Sequence, residues 1–218
     1  MAINPKDLAR HYFSLEEYFA LEHVGAARYE YWNGDIYCMS GGSRWHSIIS
    51  SNVHSAFVIG LRGGPCRALT PELPIFSPAL PPYRYADVSV ACGELQFKTV
   101  DGMDALVNPV VIVEVLSPST AMLDHGPKFT IYQSIPTLRE YLVIAQDEAR
   151  VTHYTRLENG AWQQRDITDL DDSLMLESIN SALSMRDVYD GVTFQSELIE
   201  TVELNCIPSV PIPALLHN

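Results

Sequence analysis

Glu114 is the acidic residue of this sequence whose position most clearly suggests chemistry. It interrupts an otherwise apolar run from Pro109 to Leu116. A continuous apolar run of this length predicts a strand that is covered on both faces of a sheet. A buried carboxylate without a partner costs several kcal/mol, so Glu114 should either be neutralised by an arginine or backbone donors, or hold a cation.

Asp87 and Lys128 flank Glu114 in the chain and could converge with it. Asp87 lies in the preceding predicted strand and Lys128 in the helix predicted to follow. Two carboxylates on neighbouring strands suit a divalent cation, and a nearby ammonium can stabilise charge on a phosphate oxygen. That combination favours metal-dependent phosphodiester hydrolysis. The alternatives stay open for each residue, since a lone strand aspartate is often a strand-end residue and a helix lysine is often only solvated.

Elements before Asp87 are predicted from capping, turn and periodicity signals. Ser14 and Glu17 form a capping box at the start of a short amphipathic helix, and Asn33-Gly34 indicates a hairpin with Glu30 in its first strand. Apolar residues at spacings of three and four predict a long helix over residues 43–61.

The remaining elements alternate between strands and one helix. Pro127 is expected in the first turn of the helix that carries Lys128. In the predicted strand with Asp87, residues Tyr85, Asp87 and Ser89 should share one face. The predicted strands are residues 66–76, 83–92, 109–116, 138–144, 150–156 and 161–166, with a polar loop over 93–108 and only a loose assignment for 174–185.

Composition predicts a cytoplasmic globular protein. No apolar run of about 18 residues predicts a membrane span, and the charged N-terminus does not resemble a signal peptide. The cysteines Cys38, Cys66, Cys92 and Cys206 are widely spaced, so we expect reduced thiols and no disulfides. Of the net charge of −13, −9 falls within residues 166–204, which leaves −4 for residues 1–165. The negative charge therefore weighs little against a polyanionic substrate.

Several motifs in this order resemble the Uma family of restriction-endonuclease-like proteins, over residues 13–194. The matching segments are Arg28-Tyr29-Glu30 with Asn33-Gly34-Asp35, His46, Arg62-Gly63-Gly64-Pro65-Cys66, Tyr85-Ala86-Asp87-Val88, the segment from Ile112 to Thr120, Lys128-Phe129 with Tyr132, and Pro136-Thr137-Leu138-Arg139-Glu140-Tyr141. The resemblance implies the PD-(D/E)xK nuclease fold, a mixed α/β domain with a central mixed β-sheet flanked by helices.

The same resemblance implies the roles of individual residues. Asp87 and Glu114 match the family's acids and would bind Mg²⁺, with Mn²⁺ as an alternative. The usual lysine position, two residues after the second acid, holds Leu116 here, so Lys128 is the candidate catalytic lysine. Glu30 matches an upstream acid that would bind metal or position a water.

Two further residues are weaker candidates for the site. His46 could act as a proton shuttle, but its helical spacing with Ile49 and Val53 fits a core-edge histidine equally well. Glu72 could border the cleft, although nothing in the sequence fixes its direction.

These observations predict a Mg²⁺-dependent endonuclease acting on DNA. A catalytically silent binding or assembly module is one alternative, motivated by Leu116 and by the acidic C-terminal third. Retention of Asp87, Glu114, Lys128 and Glu30 together argues against it. Hydrolysis of a small phosphodiester at the same metal site is the other alternative.

The boundary of the domain is predicted at residue 194. Residues 1–194 would form the nuclease-like domain, and residues 195–218 an acidic, proline-punctuated tail. That tail contains no lysine or arginine but many apolar residues, which favours burial against a second subunit. We therefore expect a homodimer and no membrane association.

Overall fold

The computed structural model describes residues 11–25, 27–39, 42–116 and 124–194. In chain order its helices and strands are α1 (Leu15–Val24), β1 (Tyr29–Trp32), β2 (Asp35–Cys38), α2 (Arg44–Gly60), β3 (Cys66–Leu69), β4 (Ile75–Phe76), β5 (Tyr83–Arg84), β6 (Val88–Cys92), β7 (Phe97–Val100), β8 (Met103–Leu106), β9 (Pro109–Val115), α3 (Phe129–Tyr132), β10 (Glu140–Ile144), β11 (Val151–Arg156), β12 (Trp162–Ile167), β13 (Ser173–Leu176), β14 (Ser181–Ser184) and α4 (Met185–Val188). A π-helical turn, Asp124–Lys128, leads into α3, and a 3₁₀ turn, Glu177–Ile179, joins β13 to β14.

A six-stranded mixed sheet positions most of the site residues. Its spatial order is β12-β11-β10-β9-β6-β3. Strands β9 and β10 are parallel, and the other neighbours pair antiparallel. The apolar run around Glu114 becomes β9, inside the sheet and almost entirely buried, as its sequence predicts.

The two faces of β9 belong to different cores. Val111, Val113 and Val115 pack with α2, the β13–β14 hairpin and α4. Ile112 packs on the other face with Phe129 and the other aromatic residues around α3. Each fully buried aliphatic side chain of this kind contributes about 1.5–3 kcal/mol. Since strand residues alternate between faces, Glu114 points to the side of Ile112 and α3.

A smaller four-stranded sheet, in the order β5-β4-β8-β7, lies beside a third apolar cluster. Tyr18 of α1, Tyr29 of β1, Tyr83 of β5 and Tyr85 make up most of that cluster. Burial raises the pKa of Tyr83 to about 12, so its hydroxyl stays protonated at neutral pH. The cluster attaches α1 and the β1–β2 hairpin to the strand segment that leads to Asp87.

Sequence signals predicted these N-terminal elements well. The capping box forms between Ser14 and Glu17, and Asn33 and Gly34 have the positive φ values of a tight hairpin turn, 50° and 96°. Helix α2 spans 17 residues and begins after the N-cap Ser43. The π-helical turn that contains Pro127 also agrees with the expected start of the Lys128 helix.

The predicted continuous strand over residues 83–92 is wrong. The chain forms β5 in the small sheet, leaves it, and enters β6 in the large sheet. Ala86 consequently packs with the α3 cluster and Val88 with the α2 cluster, so the predicted alternation of faces does not hold. Asp87 lies in this crossing, between the end of β5 and the start of β6.

Two other strand predictions also need correction. Residues 66–76 form two short strands in different sheets, and the predicted polar loop over 93–108 contains the β7–β8 hairpin. Thr99 and Asp104 face each other across that hairpin. A prediction based on apolar patterns misses short strands of this kind, because their side chains are polar.

The expectation of reduced thiols is wrong for one pair. Cys66 and Cys92 are directly opposite on β3 and β6 and form a disulfide. Their separation of 26 residues gave no sequence signal, because the pairing depends on strand register. In the part of the chain that the structure describes, no helix has the length and hydrophobicity to span a membrane. Residues 195–218, the predicted tail, lie outside the described residues.

Candidate functional site

Glu114 is held by α3 and the turn before it. Its Oε1 atom accepts a hydrogen bond from the Tyr132 hydroxyl at 3.0 Å and lies 3.0 Å from Lys128 Nζ. Lys128 and Tyr132 are four residues apart, so both of these donors reach one carboxylate oxygen. Burial, with the neighbouring carboxylates of Glu114 and Glu30, raises the pKa of Tyr132 well above its usual value, so this hydroxyl remains a donor.

Lys128 is a buried ammonium shared by two carboxylates. It is 2% exposed, and its Nζ lies 3.0 Å from Glu114 Oε1 and 3.3 Å from Glu30 Oε1. It also donates to the Tyr85 carbonyl at 3.3 Å. The prediction that Lys128 reaches Glu114 from the following helix is confirmed by this geometry, whereas the alternative of a solvated helix lysine is wrong.

Glu30 approaches the cluster from the hairpin and is 3% exposed. Its Oε1 accepts the Tyr85 backbone N–H at 3.0 Å, and its Oε2 accepts the Trp32 indole N–H at 3.3 Å. Both oxygens are thus engaged with protein donors. Glu30 is therefore placed to orient Lys128, whose Nζ lies 3.3 Å from Glu30 Oε1.

Asp87 lies at the same end of the sheet as Glu114. Val88 pairs with Val113 in the antiparallel β6–β9 ladder, so the residue before Val88 lies close to the end of β9 that carries Glu114. Asp87 Oδ2 accepts the backbone N–H of Val115 at 2.6 Å, where the ladder has ended. The two candidate ligands therefore lie near the same end of the sheet, where β6 begins and β9 ends.

His46 also reaches this end of the sheet. Its Nε2 lies 3.1 Å from Asp87 Oδ1, and both side chains are about one-fifth exposed. Ser43 caps α2 by accepting the His46 N–H at 3.1 Å, and its hydroxyl donates to Gln146 after β10. Of the two open interpretations of His46, the structure supports the one that places it at the site.

The residues at this end of the sheet suit a hard divalent cation in ligand type. Carboxylate oxygens are the ligands that Mg²⁺ prefers, and Mg²⁺ commonly uses one or two carboxylates together with water and phosphate oxygens. Glu114 in β9 and Asp87, immediately before the neighbouring strand β6, supply two such groups. Among the described residues no cluster of three or more His, Cys, Asp or Glu side chains could hold a metal by itself, so any cation here would depend on water or substrate for its remaining ligands.

Arg84 is a site residue that the sequence motifs do not single out. It is fully buried at the end of β5, and its guanidinium lies 4.5 Å over the Trp32 ring. Burial lowers the pKa of Arg84, an effect opposed by the nearby Glu30 carboxylate. An arginine between two tyrosines just before Asp87 is the only local sign, and it does not distinguish a buried charge from a strand-edge one.

The second weak candidate, Glu72, lies elsewhere. It is exposed and forms an ion pair with Arg28, with no described contact to Asp87, Glu114 or Lys128. A cleft of about 300 Å³ lies at the opposite end of the large sheet, between Arg62, Cys66 and Ser178. It contains none of the predicted site residues.

The chain is similar to several known proteins. The profile of the family described as "Uma2: Putative restriction endonuclease" matches residues 15–187. The chain belongs to the Uma2 family. The match covers every described residue of the site, from Glu30 to Tyr132.

Two relatives come from Synechocystis sp. (strain ATCC 27184 / PCC 6803 / Kazusa). One, "Uncharacterized protein slr1290", is 34% identical over 181 residues, which cover 83% of this chain and 93% of the relative. The other, "Uncharacterized protein sll1609", is 31% identical over 146 residues, or 67% of this chain and 82% of the relative. Their names add no activity to the family assignment.

A solved structure shares the Uma2 chain's fold. It is "a putative nuclease belonging to DUF820" from Anabaena variabilis ATCC 29413, with a TM-score of 0.63 and 19% sequence identity over 81% of this chain and 97% of that one. The similarity confirms the predicted restriction-endonuclease-like fold with its mixed sheet.

Proposed function

We propose that this Uma2 protein is a Mg²⁺-dependent endonuclease that hydrolyses phosphodiester bonds of DNA. The observation that supports the proposal is the position of Asp87 and Glu114 near one end of the sheet, where Asp87 accepts the backbone N–H of Val115, the residue after Glu114, at 2.6 Å. Lys128 supplies a cation within 3.0 Å of Glu114 at that end. Family membership supports the class of reaction.

Asp87 and Glu114 are the residues proposed to hold the cation, with Mg²⁺ or Mn²⁺ as the occupant. Such a cation acts as a Lewis acid on phosphoryl oxygens and activates water for attack on phosphorus. In such a hydrolysis the new bond would join phosphorus to the water oxygen, the bond to the leaving sugar oxygen would break, and the proton lost by the water would end on that sugar oxygen. Asp87 is well fixed for binding, because Val115 N–H holds one of its oxygens and His46 the other.

Lys128 is proposed to stabilise negative charge on the attacked phosphate. Its three described contacts, to Glu30, Glu114 and the Tyr85 carbonyl, match the three hydrogens of an ammonium. Interaction with phosphate therefore requires Lys128 to exchange one of these contacts for a substrate oxygen. We expect Glu114 to release it, because a cation on Glu114 would replace the ammonium as the partner of that carboxylate.

The burial of Lys128 between two carboxylates supports a second candidate function, the catalytically silent binding module. A lysine that is 2% exposed and already shared by two carboxylates is the arrangement of a structural ion network. The two functions differ in what metal does: an endonuclease requires it for cleavage, whereas a silent module binds nucleic acid without cutting.

The test uses Asp87→Asn and Glu114→Gln with the purified full chain. These substitutions keep hydrogen-bond acceptors for Val115 N–H and the Tyr132 hydroxyl but remove the charges that hold a cation. Asp87→Ala would instead leave a buried N–H unpaired, at a cost of about 1–3 kcal/mol. Plasmid and linear duplex DNA are incubated with Mg²⁺, Mn²⁺, Ca²⁺ or EDTA, and bis(p-nitrophenyl) phosphate serves as the small phosphodiester.

We expect cleavage of DNA with Mg²⁺ or Mn²⁺, none with EDTA, and none by either variant. Glu72→Gln, which changes an exposed carboxylate away from the site, is the control and should cut like the parent. DNA binding without cleavage in any metal would establish the silent module. Preference for the small ester would replace DNA as the substrate, and cleavage by both variants at the parent rate would exclude Asp87 and Glu114 as ligands.

A further inference from the structure

Arg84 is a buried cation whose presence is not explained by its own hydrogen bonds. Its side chain has 0% exposure, and one terminal nitrogen, Nη1, donates to the Tyr83 carbonyl at 2.7 Å. Within the described part of the chain, its Nε and Nη2 atoms have no hydrogen-bond partner. Unpaired buried donors on a charged group reduce stability, so an apolar side chain of similar length would serve the core at least as well.

The contact that Arg84 does make leads to the site. Its guanidinium carbon lies 4.5 Å from the centre of the Trp32 ring, which is a cation–π stacking distance. Trp32 in turn donates its indole N–H to Glu30 Oε2 at 3.3 Å. The stacked guanidinium therefore fixes the plane of the ring whose edge holds Glu30.

Glu30 passes this constraint on to Lys128. Its other oxygen accepts the Tyr85 N–H and lies 3.3 Å from Lys128 Nζ, which is 3.0 Å from Glu114. The buried cluster also balances in charge, with Glu30 and Glu114 against Lys128 and Arg84. Because an arginine stays protonated in proteins, Arg84 supplies a fixed positive charge beside two carboxylates.

We infer that Arg84 is a positioning residue of the active site, which acts through Trp32 and Glu30 to hold Lys128. The inference rests on the proposed function, because Lys128 is the group whose position would matter for cleavage. It assigns Arg84 a role in activity that is separable from stability. If Arg84 were purely structural, its replacement would lower activity and stability together.

The first experiment compares Arg84→Met with Arg84→Lys in the full chain. Methionine fills the volume without charge, so we expect a melting temperature equal to or above that of the parent, while kcat falls by about 10- to 100-fold and KM stays unchanged, as for other residues that orient a catalytic group. Lysine keeps the charge but not the planar stack, and should give an intermediate kcat. A loss of melting temperature in proportion to the loss of kcat would overturn the inference.

Arg156 provides a matched control. It also stacks over a tryptophan, with its guanidinium carbon 5.6 Å from the Trp162 ring, but it donates to the Ile135 carbonyl and lies outside the cluster. Arg156→Met should lower the melting temperature and leave kcat unchanged. An equal fall of kcat in Arg156→Met and Arg84→Met would show a general effect of losing such a stack and would overturn the inference.

The second experiment does not depend on cleavage. In ¹⁵N-labelled protein the Trp32 indole N–H signal reports its bond to Glu30, and the indoles of Trp45 and Trp162 serve as internal references. Arg84→Met should shift the Trp32 signal and speed its hydrogen exchange at least tenfold, with the other two signals unchanged. An unchanged Trp32 signal would overturn the inference even if DNA is cut. A shifted Trp32 signal in a protein that cuts nothing would support the positioning role while refuting the nuclease.

Discussion

Lys128 shows how one residue can join stability to chemistry at this site. Its ammonium lies within 3.3 Å of two buried carboxylates, so removing it leaves two like charges with Arg84 as the remaining buried cation of the cluster. Breaking a buried pair in this way typically costs about 3–5 kcal/mol. We expect Lys128→Met to lose about this much free energy of unfolding in urea titrations, whereas Lys128→Arg, which keeps the charge, should lose less. Equal unfolding midpoints for Lys128→Met and the parent would show that the ion pairs contribute nothing.

Turnover should respond to the same substitution beyond this loss of stability. An electrostatic group that acts on the transition state is worth on the order of 10²–10³ in rate. Measured well below its melting temperature, Lys128→Met should therefore show kcat reduced by about this factor, with Mg²⁺ affinity from calorimetry little changed. A matching loss of Mg²⁺ affinity would instead assign Lys128 to the support of the metal ligands.

At the residue scale the sequence predicted that charged residues would cluster better than it predicted each of their contacts. Glu114 stood out because an apolar strand has no use for a carboxylate, and that physical argument required an arginine, backbone donors or a cation. The sequence placed Lys128 near Glu114 but did not predict the hydrogen bond from Tyr132, since that contact depends on how α3 packs on β9. The burial of Arg84 could not be predicted for a similar reason, because it depends on the break between β5 and β6.

Helix α2 has a positioning role at the scale of secondary structure. Its N-cap Ser43 accepts the His46 N–H and donates to Gln146, which ties the helix start to the end of β10. His46 then reaches Asp87 at 3.1 Å. The helix start is thus attached to two strands of the large sheet.

Loss of this cap should affect both stability and the site. Replacing an N-cap serine by alanine typically costs about 1 kcal/mol. We expect Ser43→Ala to lose about that much in urea titrations and also to weaken Mg²⁺ binding in calorimetry, because His46 no longer fixes Asp87. Ser14→Ala, which removes the capping box of α1, is the matched control: it should lose similar stability with unchanged Mg²⁺ affinity. If Mg²⁺ affinity is the same in both variants, α2 does not position Asp87.

The elements that were predicted correctly are those with strong local signals. The capping box of α1, the Asn33-Gly34 turn and the 17-residue amphipathic α2 all depend on neighbours in sequence. The errors fall where a strand changes sheets, at residues 85–87, or where strands are too short and polar to show a pattern, as in β7 and β8. Such features are decided by tertiary pairing, and the Cys66–Cys92 disulfide follows the same rule.

At the scale of the whole molecule, the last described residues of the chain pack on the side of the large sheet that α2 covers. Helix α4 packs there, and Val192 and Phe194 lie against the same core cluster. The sequence contains further apolar residues beyond this point, which we expect to pack on the surface of a second subunit. They are Leu198, Ile199, Val202, Leu204, Ile207, Val210, Ile212, Leu215 and Leu216.

Burial of these side chains against a second copy of the chain would stabilise a dimer. Each fully covered aliphatic group contributes about 1.5–3 kcal/mol, before the entropy of ordering the segment is subtracted. Prolines at 208, 211 and 213 disfavour a helix and favour an extended segment that lies along a partner. A twofold dimer would also place two sites on one duplex, which suits the cutting of both strands.

We therefore expect the full chain to sediment as a dimer. A chain ending at Phe194 should dissociate into monomers at much higher protein concentrations, while its melting transition stays the same. Sedimentation velocity over a concentration series gives both dissociation constants. Replacing Leu215 and Leu216 by serine within the full-length chain separates the apolar contribution from the loss of length, and should weaken the dimer in the same direction. A full-length chain that remains monomeric at every concentration, with residues 195–218 removed readily by protease, would refute the predicted role of this segment and leave strand cleavage to single molecules.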